Sequence, residues 1–301
     1  MKTFSLFRFF AAIACLLIAS TTNALAETNA TKVLIVVGPS NHPPGSHEPA
    51  AGARVIEHCL ENMENRKPIQ ADVIHEWPTD GKGLDHYASI VFIGDQFPGE
   101  RLKESERAMK DIAAMMKRGC GIVCIHYGVG LGNDDVATDG DHPLLHWMGG
   151  YFATRCDHHQ SKARIYPAAR IEPADPRHPI ANGWKPFTLR DEPYINNYFG
   201  PNHNHLLPGA FAVATSMLPP DNPSREIIAW GVNRPDGGRG TGITLPHFYK
   251  NWELEPLRKF ILNAITWTAH QEVPNEGIQT SLPDLKTFNP ISVEFIPRKK
   301  K

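Results

Sequence analysis

The sequence predicts a three-layer α/β domain built on a mostly parallel central sheet. Short apolar, β-branched runs alternate with segments whose apolar residues recur at helical spacing, and this alternation is typical of right-handed parallel crossovers. The runs are apolar through their middle, as strands covered by helices on both faces should be. The chain of 301 residues is also long enough to bury a substantial core.

The first half of the chain is predicted to alternate strands and helices. The predicted strands are 32–38, 71–77 and 89–94, the first with the sequence KVLIVVG. A helix is predicted to begin at Glu48, with Ser46 as its N-cap, because the apolar residues that follow recur at helical spacing. A second helix is predicted at 102–117, with Gly119 where a helix C-terminus favours glycine.

The stretch GIVCIHYGVGLG, residues 121–132, joins a buried strand to a glycine-rich segment. The strand is predicted to end at His126. Ligands of open α/β sheets bind just beyond the carboxyl ends of the strands, so His126 is a candidate catalytic residue. The structural alternative is that this histidine only bonds a backbone carbonyl.

The second half is predicted to be less regular. A short helix is predicted at 142–148 and a final helix at 255–268, where the apolar residues form a buried stripe. Short strands are predicted at 163–166, 187–189, 211–215, 226–230 and 241–245. Beyond residue 273 the chain is rich in proline and polar residues, which predicts a surface tail over 274–301. We therefore expect one α/β domain over 27–273.

The N-terminus has the features of a secretory signal. A basic start precedes an apolar run at 9–19, and Ala24-Leu25-Ala26 matches an A-x-A cleavage site. Residues 1–26 are therefore predicted to be a signal peptide, and the mature protein is expected to be periplasmic or extracellular. No later segment approaches the roughly 20 apolar residues of a membrane span. The net charge of −1 shows no basic surplus of the kind that binds nucleic acid.

Four cysteines remain after the predicted cleavage, and they indicate buried thiols rather than a dense disulfide scaffold. They are Cys59, Cys120, Cys124 and Cys156. On one strand, Cys120 and Cys124 would lie roughly 13 Å apart, which is beyond the ~7 Å limit for a disulfide. Pairing among the others stays open.

The loop after the first strand carries candidate metal ligands. It contains bulky histidines and prolines where a nucleotide-binding protein has G-x-G-x-x-G, so a nicotinamide cofactor is not expected. His42, His47 and Glu48 offer the imidazole and carboxylate groups that a divalent metal such as zinc takes. Their spacing matches no standard zinc signature, so hydroxyl recognition by His42 and His47 stays open. Glu48 has a further alternative, a favourable interaction with the helix dipole.

Two later segments add candidate residues. Glu192, in Asp191-Glu192-Pro193-Tyr194, is a candidate general acid or base if its carboxylate is buried, and Tyr194 is a candidate for hydrogen bonding or stacking against a sugar. His247 follows the predicted strand at 241–245 and is a further catalytic candidate. Arg239 is a candidate for binding an anionic group, or for pairing with an acid. The alternative for the Glu192 segment is a solvated turn before a proline.

These candidates share one expected location. His42, His47, Glu48, His126, Glu192 and His247 all follow predicted strand ends. If the strands are parallel neighbours, their carboxyl ends meet at one edge of the sheet and the side chains converge there.

Several ordered blocks of the sequence together resemble the ThuA-like (trehalose-utilisation) family over residues 32–273. The blocks are VLIVVGPSNHPPGSHEPAAGA (33–53), GIVCIHYGVG (121–130), HWMGGYF (146–152), PFTLRDEPY (186–194), GRGTGITLPHFYKNW (238–252) and FILNAITWTA (260–269). The resemblance implies a flavodoxin-like sandwich similar to class I glutamine amidotransferases and a role in carbohydrate catabolism. In those enzymes a catalytic cysteine occupies the strand-to-helix turn, whereas here His126 does, which argues against glutaminase chemistry.

The prediction is an exported enzyme that acts on a glycoside or keto-sugar by hydrolysis, elimination or isomerisation. His126, Glu192 and His247 are its predicted catalytic residues, and a divalent metal is a candidate cofactor. The alternatives are a non-catalytic sugar-binding module and, third, a cysteine-dependent amidase. The sugar, the bond and the oligomeric state stay open.

Overall fold

The computed structural model describes residues 30–298, so the predicted signal peptide lies outside the described residues. The strands are β1 (Lys32–Val37), β2 (Gln70–Ile74), β3 (Tyr87–Ile93), β4 (Gly121–Ile125), β5 (Gly130–Gly132), β6 (Phe152–Thr154), β7 (Tyr166–Pro173), β8 (Phe187–Asp191), β9 (Ala210–Leu218), β10 (Ser224–Asn233) and β11 (Arg239–Ile243). The α-helices are α1 (Pro49–Glu61), α2 (Ser105–Lys117), α3 (Pro143–Met148) and α4 (Glu255–Thr268).

Nine strands form one mixed sheet in the order β2-β1-β3-β4-β11-β10-β9-β7-β8. The first five are parallel neighbours, whereas β11, β10, β9, β7 and β8 pair antiparallel. The prediction of a mostly parallel sheet is therefore corrected. The reason is connection length: the turns between β9, β10 and β11 are too short for a parallel crossover, which needs a dozen or more residues.

Helices cover both faces of the parallel half, giving the predicted three layers. Apolar residues of α1 and α4 pack in one core, which includes Ile35, Val91 and Val123. Residues of α2 and α3 pack in the other core, on Leu34 and Phe92. Successive residues of a strand point to opposite faces, so neighbouring apolar residues serve both cores. Helix α4 approaches the sheet so closely that a Cβ at Gly121 would lie 2.2 Å from the Thr268 carbonyl oxygen.

The predicted N-cap and one predicted strand are wrong in detail. Ser46 does not cap α1; its hydroxyl donates to the Pro43 carbonyl at 2.7 Å, and Glu48 occupies the N-cap position without a side-chain cap bond. The strand predicted at 163–166 lies instead at β7, whose inward residues include Ala169 and Ile171. Gly119 has φ +86° after α2, as its predicted C-terminal role requires.

The segment after residue 273 adds to the core and then covers one edge of the sheet. Ile278, Leu285 and Phe288 are buried against α1 and α4. The four cysteines are buried and unpaired. Within residues 30–298, no helix is both long enough and apolar enough to cross a membrane.

Candidate functional site

Three histidine side chains meet at the carboxyl edge of the parallel strands. His47 lies on the loop before α1, His126 directly after β4, and His247 on the loop after β11. His126 Nε2 lies 3.0 Å from His47 Nε2 and 3.2 Å from His247 Nδ1. His47 Nε2 and His247 Nδ1 are also 3.2 Å apart. All three residues are at most 7 % exposed. Three ring nitrogens therefore converge on one buried point.

Hydrogen bonds on the far side of two rings fix which nitrogen faces that point. His126 Nδ1 donates to the Thr244 carbonyl at 2.7 Å, and His47 Nδ1 bonds Asp95 Oδ1. In the neutral ring the proton lies on the nitrogen that donates, so both Nε2 atoms present lone pairs to the centre.

Burial keeps these two rings neutral. It lowers the pKa of His47 to about 4, against the opposing hydrogen bond and charge of Asp95. It also lowers the pKa of His126 well below its usual value, and the neighbouring histidines lower that pKa further. Two unprotonated nitrogens thus face each other at neutral pH with no proton to share.

The backbone that presents His47 and His126 is strained. His47 has φ 58°, the adjacent Glu48 has φ 42°, and His126 has φ 49°. Left-handed conformations cost a non-glycine residue free energy, and such residues cluster at functional sites where the surrounding structure holds them. The His47 amide donates to the His247 carbonyl at 2.6 Å, which ties two of the three loops together.

Glu192 and Tyr194 complete the cluster. Glu192 Oε2 lies 3.2 Å from His247 Nδ1 and 4.0 Å from His126 Nε2. His247 Nδ1 therefore either donates to this carboxylate or offers its lone pair to the centre. The Tyr194 hydroxyl donates to His126 Nε2 at 3.1 Å. Burial, followed by the charge of Glu192, raises the pKa of Tyr194 well above its usual value, so the hydroxyl keeps its proton.

Asp95 is a site residue that the sequence analysis missed. Its carboxylate bonds His47 and also accepts from the Asn41 amide at 2.8 Å and His42 Nδ1 at 2.8 Å. Burial raises the pKa of Asp95, but the bonds from His42 and His47 outweigh burial and hold the pKa below its usual value. Asp95 follows β3 at the same edge of the sheet, and that position was the signal available in the sequence.

Asp191, predicted only as part of a carboxylate pair with Glu192, holds the loop of His247. It is fully buried and accepts the backbone N–H of His247 at 2.8 Å and the side-chain amide of Asn251 at 2.5 Å. Strand β8 is four places from β11 in the sheet order, so the antiparallel half curls to bring the end of β8 beside the end of β11. Glu192 reaches the cluster by this curl.

The structure brings together most, but not all, of the predicted site residues. His42 stacks on His47 with ring centroids 3.5 Å apart and is the more exposed of the two rings. Glu48 turns away from the cluster, and its carboxylate accepts backbone N–H groups of Gly45, Ile291 and Ser292. Arg239 lies at the start of β11, the opposite end of the strand from His247, where its guanidinium stacks on Trp267.

The chemistry of the donor set fits a divalent metal ion. Imidazole is a preferred zinc ligand, and tetrahedral Zn–N bonds of about 2.0–2.1 Å place nitrogens about 3.4 Å apart. The three ring nitrogens here are 3.0–3.2 Å apart. A metal-bound histidine usually donates its other ring N–H to a carboxylate or a carbonyl, as His47 and His126 do. His47, His126, His247 and Glu192 are together close enough to be ligands of one ion.

Cys124 contributes nothing to this site. It is completely buried in the core on the α2 face, and burial raises the pKa of its thiol well above the usual value. A thiol nucleophile needs a lowered pKa and access to substrate. The turn after β4 presents His126 instead.

Aromatic side chains border the cluster. The Tyr127 ring lies 6.1 Å from both His42 and Tyr194, and the Phe152 ring lies 4.2 Å from Tyr194. Tyr127 as a residue is half-buried. A separate cavity of about 540 Å³ opens at the ends of β1 and β2, beside Pro39 and Arg101, and none of the three histidines lines it.

Solved structures show the same fold at low sequence identity. A ThuA-like protein from Bacteroides uniformis is 17% identical, with TM-score 0.56 over 81% of this chain and 94% of that one. A ThuA-like protein from Parabacteroides merdae is 16% identical, with TM-score 0.54 over 84% and 98%.

The family comparison covers most of the chain. A search among curated proteins finds no significant match. The sequence model of the ThuA family, described as trehalose utilisation, matches residues 32–268, which include every residue of the histidine cluster. The chain therefore belongs to the ThuA family.

Proposed function

We propose that this chain is a metal-dependent enzyme that acts on a glycoside or keto-sugar. The observation that carries the proposal is the convergence of three buried imidazole nitrogens on one point beside a carboxylate. Because both rings bond outward through Nδ1, neither His47 Nε2 nor His126 Nε2 has a proton to donate to the other, and a cation at the centre would accept both lone pairs. The carbohydrate class comes from the family, described as trehalose utilisation.

The ligands that we propose are His47 Nε2, His126 Nε2 and His247 Nδ1. Asp95 and the Thr244 carbonyl orient the first two rings from behind. A divalent ion such as zinc, when bound, polarises a substrate oxygen or lowers the pKa of a water molecule.

Glu192 is the proposed general base or acid. Its carboxylate lies at the edge of the cluster, with a side chain 17 % exposed, so it reaches both the buried centre and the solvent side. General acid–base catalysis requires a group within hydrogen-bond reach of the proton that moves. The protonated Tyr194 hydroxyl would donate to a developing negative charge.

Substrate hydroxyls would meet the outer side of the cluster. His42 is about one-third exposed and presents its imidazole beside Asp95. The half-buried Tyr127 borders the cluster, and its ring would stack against a sugar face. Hydrolysis, elimination and isomerisation each use a base, a hydrogen-bond donor and an electrophile. Here these would be Glu192, the Tyr194 hydroxyl and the divalent ion.

The test begins with elemental analysis of the purified protein, followed by incubation with glycosides and with their 3-keto forms. We expect about one divalent ion per chain and turnover of at least one of these substrates. His126→Ala should abolish both. Saturable sugar binding without product after long incubation would instead identify a sugar-binding module and overturn the catalytic proposal.

We also propose that the mature chain is exported after cleavage near Ala26. The support is the basic start, apolar run and A-x-A site of the N-terminus. N-terminal sequencing of the protein from its native cell should give Glu27 as the first residue. A mature protein that retains residues 1–26 would overturn this proposal.

A further inference from the structure

Residues 289–298 of the C-terminal segment, which we call the strap, lie over the loop that carries His42 and His47. The carboxylate of Glu48 accepts the strap's backbone N–H groups of Ile291 at 2.9 Å and Ser292 at 3.1 Å. The same carboxylate accepts the Gly45 amide at 2.9 Å. Glu48 is only 7 % exposed, so a buried charge joins the strap to the loop through three hydrogen bonds. Such charge-assisted bonds are stronger than neutral ones.

The strap continues along the loop beyond Glu48. The Ile296 amide donates to the Pro44 carbonyl at 2.9 Å, and Arg298 bonds the Asn41 carbonyl. The approach at Gly45 is so close that a Cβ there would lie 2.2 Å from the Glu294 carbonyl oxygen. The strap therefore contacts the loop at both ends and at its middle.

The strap also holds the neighbouring loop, which carries His247. The Phe295 ring packs 5.2 Å from the Phe248 ring, and Lys250 forms an ion pair with Glu294. The Phe248 ring in turn lies 4.6 Å from the His247 ring. One segment thus bridges two of the three loops that supply the histidine cluster.

The loop needs such a restraint because its conformation is strained. His47 and Glu48 are consecutive residues with left-handed φ values, a conformation that costs a non-glycine residue free energy. Neither residue is glycine, and α1 begins without a side-chain cap. A conformation of this kind persists only where surrounding contacts over-determine it. The bonds to the Glu48 carboxylate are among those contacts, beside the His47 bonds to Asp95 and to the His247 carbonyl.

We propose that Glu48 is a positioning residue which, through the strap, holds His47 Nε2 in the histidine cluster. Glu48 does not touch the converging nitrogens; it fixes the backbone one residue beyond His47. The consequence for metal affinity rests on the proposed function, whereas the consequence for the His47 ring does not. Two readouts therefore separate the two proposals.

The first variant is Glu48→Gln in the full chain. Its amide nitrogen cannot accept a backbone N–H, so at least one strap bond is lost. We expect zinc affinity to fall 10–100-fold, as for loss of a group that orients a ligand. Imidazole NMR of the metal-free protein should show His47 Nδ1–H losing its Asp95-bonded signal. Glu48→Asp should restore the strap bonds in part and recover part of both readouts.

Glu255→Gln is the matched control. It also neutralises a carboxylate at the start of a helix, but Glu255 pairs with Lys259 and lies away from the strap. It should leave zinc affinity and the His47 signal unchanged. A chain ending at Pro290, which lacks most of the strap, should reproduce the effect of Glu48→Gln.

The results for these variants determine whether Glu48 positions His47. If Glu48→Gln and the shortened chain keep both the His47 signal and zinc affinity within twofold of the parent, the strap does not position His47. If the parent chain binds no zinc, the proposed function fails, and the His47 signal alone then decides whether Glu48 positions the ring. A His47 signal lost equally in Glu255→Gln would show general destabilisation and overturn the specific role of Glu48.

Discussion

At the residue scale, Glu192 and the histidines have different proposed roles, and these roles can be tested separately. Glu192 lies nearer to His247 than to His126, at the rim of the cluster. A residue at the rim suits proton transfer, whereas the three converging nitrogens suit metal ligation. This division makes different predictions for the carboxylate and for the rings that it faces.

Glu192→Gln should lower turnover by about 10²–10⁴-fold while leaving metal content unchanged, because the amide keeps the shape but cannot take up a proton. The measurement pairs steady-state kinetics with elemental analysis, and thermal unfolding checks the fold. A variant that loses its metal would show that Glu192 is a ligand. Full activity would remove Glu192 from the mechanism.

Asp95→Asn should weaken zinc binding by 10–100-fold, because Asp95 orients the His47 ring and raises the basicity of its Nε2. Competition with a chromogenic chelator measures this affinity. The matched control is Asp111→Asn. The Asp111 carboxylate also accepts a hydrogen bond from a ring N–H, that of Trp77, but it lies away from the cluster. Equal losses in both variants would argue against a specific role for Asp95.

The lowered pKa of His47 makes the stability of the metal-free protein depend on pH. The unfolded chain takes up a proton near pH 6.5, whereas folded His47 takes it up only near pH 4. The free energy of unfolding is therefore highest above the first pKa and falls as the pH falls towards the second. The loss amounts to at most about 3 kcal/mol.

Urea unfolding of chelator-treated protein between about pH 7 and pH 4 measures this dependence. Other groups also titrate in this range, so the comparison is with His47→Asn, which should show a flatter profile. Identical slopes in the two proteins would contradict a neutral, buried His47.

The sequence indicated most of the cluster because strand ends are recognisable and parallel strands end together. His126 and His247 follow β4 and β11, which are neighbours, so their convergence follows from the topology. Asp95 was missed although it follows β3 at the same edge, because no second polar residue beside it drew attention to that strand end. Glu48 was included because spacing cannot show which way a side chain turns.

At the element scale, the two halves of the sheet differ in how far the sequence predicts them. Strands β1, β3 and β4 are mostly apolar, and all five parallel strands were predicted within about three residues. Strand β7 was missed because Pro167 interrupts its run, and proline in a strand argues for an edge or a loop. The mixed sheet was missed because local apolar patterns do not state which strands pair.

Strand β11 runs so close to α3 that glycine is required at residue 240. A Cβ at Gly240 would lie 2.1 Å from the Trp147 carbonyl oxygen. Because a backbone oxygen cannot rotate away, Gly240→Ala should cost about 3 kcal/mol of unfolding free energy or more. Urea titration measures the cost.

Gly237→Ala is the comparison for Gly240→Ala. Nothing lies within 4 Å of a Cβ at Gly237, but its φ is +86°. Its cost should be about 1 kcal/mol, from the left-handed backbone alone. Equal costs at the two positions would show that α3 moves aside without penalty.

At the scale of the whole molecule, the fold and the site are supported separately. Two apolar cores, one on each face of the sheet, hold the strands together. The three histidines lie on loops beyond the strand ends, and only Tyr194 of the cluster also belongs to a core, the one on the α2 face. The fold should therefore persist when the proposed metal is removed, while the loops lose their common ligand.

Chelation should leave the far-UV circular dichroism unchanged and lower the Tm. Zinc at 100 times its Kd stabilises the folded state by about 2.7 kcal/mol, and for a chain of this size that corresponds to a Tm shift of about 5 °C. Adding zinc back should restore the Tm of the parent but not that of His126→Ala, which lacks a ligand. A parent protein whose Tm ignores zinc would contradict the metal centre. One whose circular dichroism collapses on chelation would show instead that the ion holds the fold, so that the apolar cores are insufficient without it.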